Sequence, residues 1–140
     1  MKVDSIQHGF VIDHIPAGMG LKIHDLLGLE SKGLTVALIN NVPSKKMGKK
    51  DIIKIDAEIE LNLDVIGFVA KDATVNVIKN GVIVEKKTLS LPEKLVNVIK
   101  CKNPRCITTT EQELEHVFLL TDSEQGVYRC LYCEAEATKA

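Results

Sequence analysis

The sequence has 140 residues, 45% of them apolar and 26% charged, and its formal net charge is −1. That length fits one ordinary domain or two small ones, and that apolar share supports a packed core and excludes wholesale disorder. Near-neutral charge and an aromatic content of 4% with no Trp argue against a general nucleic-acid binder or a base-stacking platform.

The chain opens on MKVDS, which has neither the apolar stretch nor the cleavage site of a secretion signal. No apolar run reaches the roughly 18 residues that span a bilayer, so the reading is a cytoplasmic protein. Residues 9–15 are β-rich, and strict alternation puts Val11 and Asp13 on one face, with Phe10, Ile12 and His14 on the other. Pro16 suits a helix start. Met19, Ile23, Leu26 and Leu27 then recur at helical spacing, with Gly28 or Gly33 as the stop. Residues 34–40 (LTVALIN) read as a buried strand, and 41–50 as a loop crowded with lysines and punctuated by Pro43, Ser44 and Gly48. A strand follows over 51–57, with Ile53, Ile55 and Ala57 pointing one way and Lys54 the other.

Leu61, Val65, Ile66 and Val69 predict a second helix. Residues 73–79 form a strand with Thr74, Asn76 and Ile78 on one face. Asn80-Gly81 is a two-residue hairpin signal, since both central positions of a type I′ turn need positive φ, and 82–87 returns as its partner. The order β-α-β-β-α-β with one extra strand predicts an α+β fold: a ferredoxin-like antiparallel sheet with two helices on one face. The opposite face is left open, and there Asp13, Lys54, Asn76 and Lys86 come from separate strands. Lysines converging on one patch suit phosphates, although a solvated face explains the same residues.

Every cysteine lies beyond residue 100, which divides the chain into 1–92 and 93–140 with the joint near Ser90-Leu91-Pro92-Glu93. The second part is too short to hold a core without a staple. It contains Cys101-x4-Cys106 and Cys130-x2-Cys133. Two close pairs across a loop are what a tetrahedral metal needs, and four thiolates leave no open position, so one structural zinc ion is expected in a small all-β domain. Lys100, Lys102, Arg105 and Arg129 flank the pairs and would favour the thiolates. Disulfides, or a redox pair at Cys130 and Cys133, are the alternatives. No hydrolase, Walker, dinucleotide or metalloprotease motif is present, and His8, His14, His24 and His116 form no catalytic pairing, so the chain reads as a non-enzyme. A zinc-ribbon module that holds nucleic acid through the 45–50 lysines is the competing function.

VIDHIPA (11–17), MGKKDIIKI (47–55), ATVN (73–76), SLPE (90–93), Asn97-Val98 and the two cysteine pairs occur in that order. Together they resemble the regulatory chain of aspartate carbamoyltransferase over nearly the whole sequence. The resemblance implies an N-terminal domain that binds CTP or ATP and pairs with a second copy. It also implies a zinc domain that contacts the catalytic chain, three regulatory dimers linking two catalytic trimers into a dodecamer of pyrimidine biosynthesis. By position, Asp13 and Lys54 match contacts to base and ribose, and Lys86 a triphosphate contact. His14 and Asn76 match further site positions. Val3, Asp4, Ile6, Val11, Ile78 and Ile83 match the lining of the base pocket. Cys101, Cys106, Cys130 and Cys133 match the zinc ligands, while Asn103 and Arg105 match positions facing the catalytic chain. Gly81 departs from the pattern, standing where some relatives carry an aromatic against the base.

Overall fold

Residues 6–137 are described by a computed structural model. Val3 and Asp4 lie outside them. The chain divides into two compact units, Met1–Ser90 and Leu91–Ala140.

The first unit runs β1 (Gly9–Pro16), α1 (Gly20–Leu27), β2 (Val36–Ser44), β3 (Gly48–Ile55), α2 (Leu63–Val69), β4 (Thr74–Lys79) and β5 (Val82–Thr88). The sheet order is β2-β3-β1-β4-β5 and every pairing is antiparallel. This is the expected ferredoxin-like arrangement with β5 added by the hairpin at Asn80 (φ 53) and Gly81 (φ 77). Ile12 and Ile15 from β1, Ile53 and Ile55 from β3, Val75 from β4, Ile23 from α1 and Ile66 from α2 are all fully buried. They form the layer between sheet and helices. Helix α2 begins on an Asn62 cap whose Oδ1 accepts the N–H groups of Asp64 and Val65 at 3.1 and 3.3 Å. Helix α1 ends at Gly28 in the left-handed region (φ 65).

Four local expectations change. Strand β1 is not regularly alternating: Ile12 pairs with Ile53, but Ile15 pairs with Asp51, so one extra residue is accommodated at Asp13-His14. His14 takes φ 59 there and does not share a regular face with Phe10 and Ile12. Pro16 closes β1 rather than opening α1, which starts at Gly20. The stretch 41–50 is mostly sheet: β2 runs to Ser44 and β3 starts at Gly48. Pro43 is tolerated because β2 is an edge strand, where a missing N–H breaks no ladder. For the same reason β2 is only half-buried rather than a core strand.

Buried Asp51 organises that corner. Its Oδ2 accepts the N–H groups of Gly18 (2.9 Å) and Gly20 (3.0 Å), and its Oδ1 accepts that of Asn41 (3.0 Å). One carboxylate thus fixes the entry to α1 and the irregularity of β2 at Asn41, where φ is 58.

The second unit is a three-stranded antiparallel sheet, β6 (Lys94–Val96), β7 (Val117–Asp122) and β8 (Val127–Cys130), in the order β6-β7-β8, with one helical turn, α3 (Ile107–Thr110). Its buried apolar side chains include Leu95, Val117, Phe118 and Tyr128. The Tyr128 hydroxyl donates to the Pro92 carbonyl at 2.6 Å. So small a core leaves a staple to supply the rest.

Candidate functional site

Register places most of the open-face residues side by side. Val11 on β1 pairs with Lys54 on β3 and with Asn76 on β4, and Asn76 pairs with Lys86 on β5. Paired residues share a face, so Lys54, Val11, Asn76 and Lys86 make one row across four strands. At the usual strand spacing the row is about 14 Å long. One neighbouring row is Gly9, Ile78 and Ile83, and the other is Asp13, Thr74 and Thr88. These residues face away from the buried Ile12, Ile53 and Val75, which pair with one another on the helix side.

The extra residue in β1 shapes the Asp13 end of the patch. Asp13 Oδ1 takes a 2.9 Å ion pair from Lys50 Nζ and a 2.6 Å hydrogen bond from the His14 N–H. Burial pushes the Asp13 carboxyl up, but the Lys50 hydrogen bond and the His14 N–H together outweigh it and hold the group below its ordinary 3.8. His14 Nδ1 lies 3.3 Å from Thr74 Oγ1. Lys50 is a site-neighbouring residue outside the expected set: residues 41–50 read as a loop, and only the fold, which places Lys50 on β3, brings it to Asp13. At the other end, buried Ile6 precedes Gln7, whose carbonyl accepts the Gly81 N–H at 3.0 Å. A separate cleft at Phe10, Glu58, Glu60, Val77, Lys79 and Lys87 shares only Ile78 with the expected set.

In the second unit the four sulfurs of Cys101, Cys106, Cys130 and Cys133 lie within 4.8 Å of one another. Cys101 Sγ to Cys133 Sγ is 3.5 Å and Cys106 Sγ to Cys130 Sγ is 3.7 Å. Those separations far exceed a disulfide's roughly 2 Å. They match the edge of a tetrahedron with 2.3 Å metal–sulfur bonds, which is about 3.8 Å. The donor set therefore fits a four-thiolate metal ion with a closed shell.

The immediate donors to the sulfurs are N–H and O–H groups rather than the flanking cations. Asn103 N–H serves Cys101, Thr108 N–H serves Cys106, Tyr132 and Cys133 N–H serve Cys130, and Ala135 N–H serves Cys133. The Asn103 side chain also reaches Cys133, so this expected partner contact takes part in the cluster; Arg105 is exposed. The Thr108 hydroxyl, on a 3% exposed residue, sits 3.1 Å from Cys106 Sγ. Thr108 was not visible as a site residue in the sequence, since a threonine two positions past a cysteine has no distinctive pattern. Arg129 is turned to the Glu134 carbonyl (3.1 Å) and the Glu136 carboxylate (3.9 Å). Without metal, burial pushes the Cys101 thiol up to about 12, while the Ala135 N–H and the Asn103 side chain bring Cys133 down to about 6. The Thr108 hydroxyl likewise lowers Cys106, burial raises Cys130, and metal binding displaces whatever protons the four thiols carry.

Comparison with known proteins agrees with this division. Residues 1–90 match the family described as aspartate carbamoyltransferase regulatory chain, allosteric domain, and residues 93–140 match its metal binding domain. The chain belongs to the aspartate carbamoyltransferase regulatory-chain family. Relatives bearing that name include a protein of Bifidobacterium longum, 51% identical over 137 residues, covering 98% of this chain and 99% of the relative. One from Clostridium botulinum is 52% identical over 134 residues (96% and 92%), and one from Clostridium tetani is 48% identical over 135 (96% and 94%). The aspartate carbamoyltransferase regulatory chain is a non-catalytic subunit, and in this member the metal-binding domain carries the four-sulfur cluster. No helix among the described residues is long and apolar enough to cross a membrane.

Proposed function

We propose that this regulatory chain binds CTP or ATP on the open face of its N-terminal sheet, holds one structural zinc ion in its C-terminal unit, and uses that unit to contact the catalytic chain of aspartate carbamoyltransferase. The observation that carries the reading is the Lys54–Val11–Asn76–Lys86 row. Two cations sit at its ends with a polar amide and an apolar floor between them, which suits an elongated anion with a base and a sugar. Asp13, positioned by Lys50, can accept hydrogen bonds from the base or ribose. Lys86 is the triphosphate cation, and His14 lies beside the base-proximal end. Ile78, Ile83 and Ile6 supply apolar lining, and Val3 and Asp4 precede them. Lys50 adds a further cation beside Asp13.

In the C-terminal unit the cysteine sulfurs match zinc in softness and spacing. The ion supplies cross-linking of the two knuckles and no reaction chemistry. Asn103 and Arg105, in the first knuckle, are the proposed contacts with the catalytic chain. The assembly we propose is two catalytic trimers joined by three regulatory dimers, each dimer formed through N-terminal domains, in the cytoplasm and in pyrimidine biosynthesis. A nucleotide alters the enzyme only by binding its two quaternary states unequally, with a coupling of typically about 1–3 kcal/mol.

Calorimetric titration of CTP into the chain and into Lys86→Ala tests the nucleotide site. Binding is expected to weaken about 10-fold or more, as loss of a charge-assisted contact of roughly 1.5–3 kcal/mol implies, with metal content unchanged. Equal CTP affinity in the variant removes Lys86 from the site. Co-purification of Cys130→Ser with the catalytic chain tests docking, and a normal complex from that variant would refute the role given to the metal unit.

A further inference from the structure

The amide groups of the four cysteines are held in different ways. Cys106 N–H donates to the Asn103 carbonyl at 3.0 Å and Cys130 N–H to the Ala135 carbonyl at 2.9 Å, while Cys133 N–H points to the Cys130 sulfur. Those three bonds stay within their own knuckles. Cys101 differs: its N–H donates across 15 residues of sequence to His116 Nδ1 at 3.2 Å. His116 stands immediately before β7 and is itself fixed. Its N–H donates to Asn97 Oδ1 at 3.0 Å, and the Asn97 N–H donates back to the His116 carbonyl at 2.8 Å. Asn97 adopts φ 58 in this reciprocal pair.

An imidazole that accepts at Nδ1 carries its proton on Nε2. The direction of a cysteine's Cβ–Sγ arm follows from its backbone, so a side chain that pins the Cys101 amide also aims the Cys101 sulfur. Cys101 is 6% exposed, and its N–H would otherwise be desolvated without a partner.

We propose that His116 is a positioning residue of the metal centre: its Nδ1 ties the Cys101 amide to the start of β7 and so holds the first knuckle in register with the second. The proposal rests on the metal reading given above. It is tested on the full chain by Co2+ titration, which reports tetrahedral thiolate coordination through visible absorption, and by Zn2+ competition against a chromophoric chelator.

His116→Asn places an oxygen where Nδ1 stood, off the same γ carbon, whereas His116→Phe offers no acceptor. The Phe variant is expected to lose about 10-fold or more in Zn2+ affinity and the Asn variant to stay within about 3-fold, on the scale seen for groups that orient metal ligands. Unchanged affinity in the Phe variant overturns the proposal, and so does an Asn variant weakened as much as Phe. If the Phe variant does not fold, His116→Gln replaces it, because its oxygen reaches the Nε2 position instead. Gln weaker than Asn supports the proposal and Gln equal to Asn overturns it. Failure of the unsubstituted chain to bind Co2+ overturns the metal reading itself, and the proposal with it, before any variant is compared.

Discussion

Replacing Asp51 should unfold the N-terminal unit selectively. The carboxylate is fully buried and accepts three backbone N–H groups, from Gly18, Gly20 and Asn41, at 2.9–3.0 Å. In Asp51→Ala all three lose their acceptor. The Gly20 bond is buried and the other two are part-buried, so water recovers some of the loss. At roughly 1.5–3 kcal/mol for a hydrogen bond to a charged group, and less where water enters, the net cost is about 4 kcal/mol, a large part of a typical domain stability of about 5–15 kcal/mol. Asp51→Asn keeps an acceptor for Gly18 and Gly20 but sets an NH2 against the Asn41 N–H, which should cost about 2 kcal/mol. Urea unfolding followed by far-UV circular dichroism reads this. With a slope of about 1–3 kcal/mol/M, the Ala variant's midpoint falls by about 1.3–4 M. The two tyrosines, Tyr128 and Tyr132, both lie in the second unit, so tyrosine emission serves as an internal reference and should keep its midpoint. A dichroism midpoint within about 0.3 M of the unsubstituted chain would show that the three amides have other acceptors, and the reasoning fails.

Other substitutions separate site from scaffold. Asp13 is held below its ordinary 3.8 in the folded chain, so its ion pair stabilises the unit above that pH and the contribution fades as the pH falls through the lower folded value. Asp13→Asn should therefore flatten the acid limb of the stability curve measured by urea midpoints between pH 2 and 6, as well as weaken CTP binding; an unaltered acid limb counts against the Lys50 pair. Thr108→Val keeps the shape of a buried side chain but removes the hydroxyl at Cys106 Sγ. Zn2+ affinity by chelator competition should drop roughly 10-fold, and an unchanged value means the hydroxyl does not support the thiolate. Gly9→Ala would drive a methyl group into the Ile55 carbonyl oxygen, costing about 3 kcal/mol, at the upper end for overpacking; a normal urea midpoint would show that β1 and β3 can separate there.

The sequence made the element order and the cysteine cluster legible for physical reasons. Asn80-Gly81 needs no context to announce a turn, and the Val65–Ile66–Val69 spacing has one helical solution. Two sulfur pairs with those spacings have few other uses. What stayed hidden depended on neighbours. Pro43 and Gly48 look like loop residues until β2 is known to be an edge strand. The irregularity at Asp13-His14 breaks the period on which face assignment depends, so strict alternation puts His14 with Phe10 and Ile12 where the fold does not. Asp51 reads as one acid among 19 acidic residues, and only the fold brings the amides of Gly18, Gly20 and Asn41 to it. Thr108 is likewise silent until the chain turns back on Cys106.

The extra residue in β1 lets chemistry and packing vary separately. Ile12 and Ile15 both reach the core although three positions apart, so a chain shortened by one residue between them would regain an even two-residue period with the same isoleucines inward. The interior would scarcely register the deletion, whereas the carboxylate held by Lys50 or the imidazole beside Thr74 would vanish from the exterior. The packing thus tolerates a change of one residue in length at this point, which a regularly alternating strand, where every later side chain would turn to the wrong face, does not.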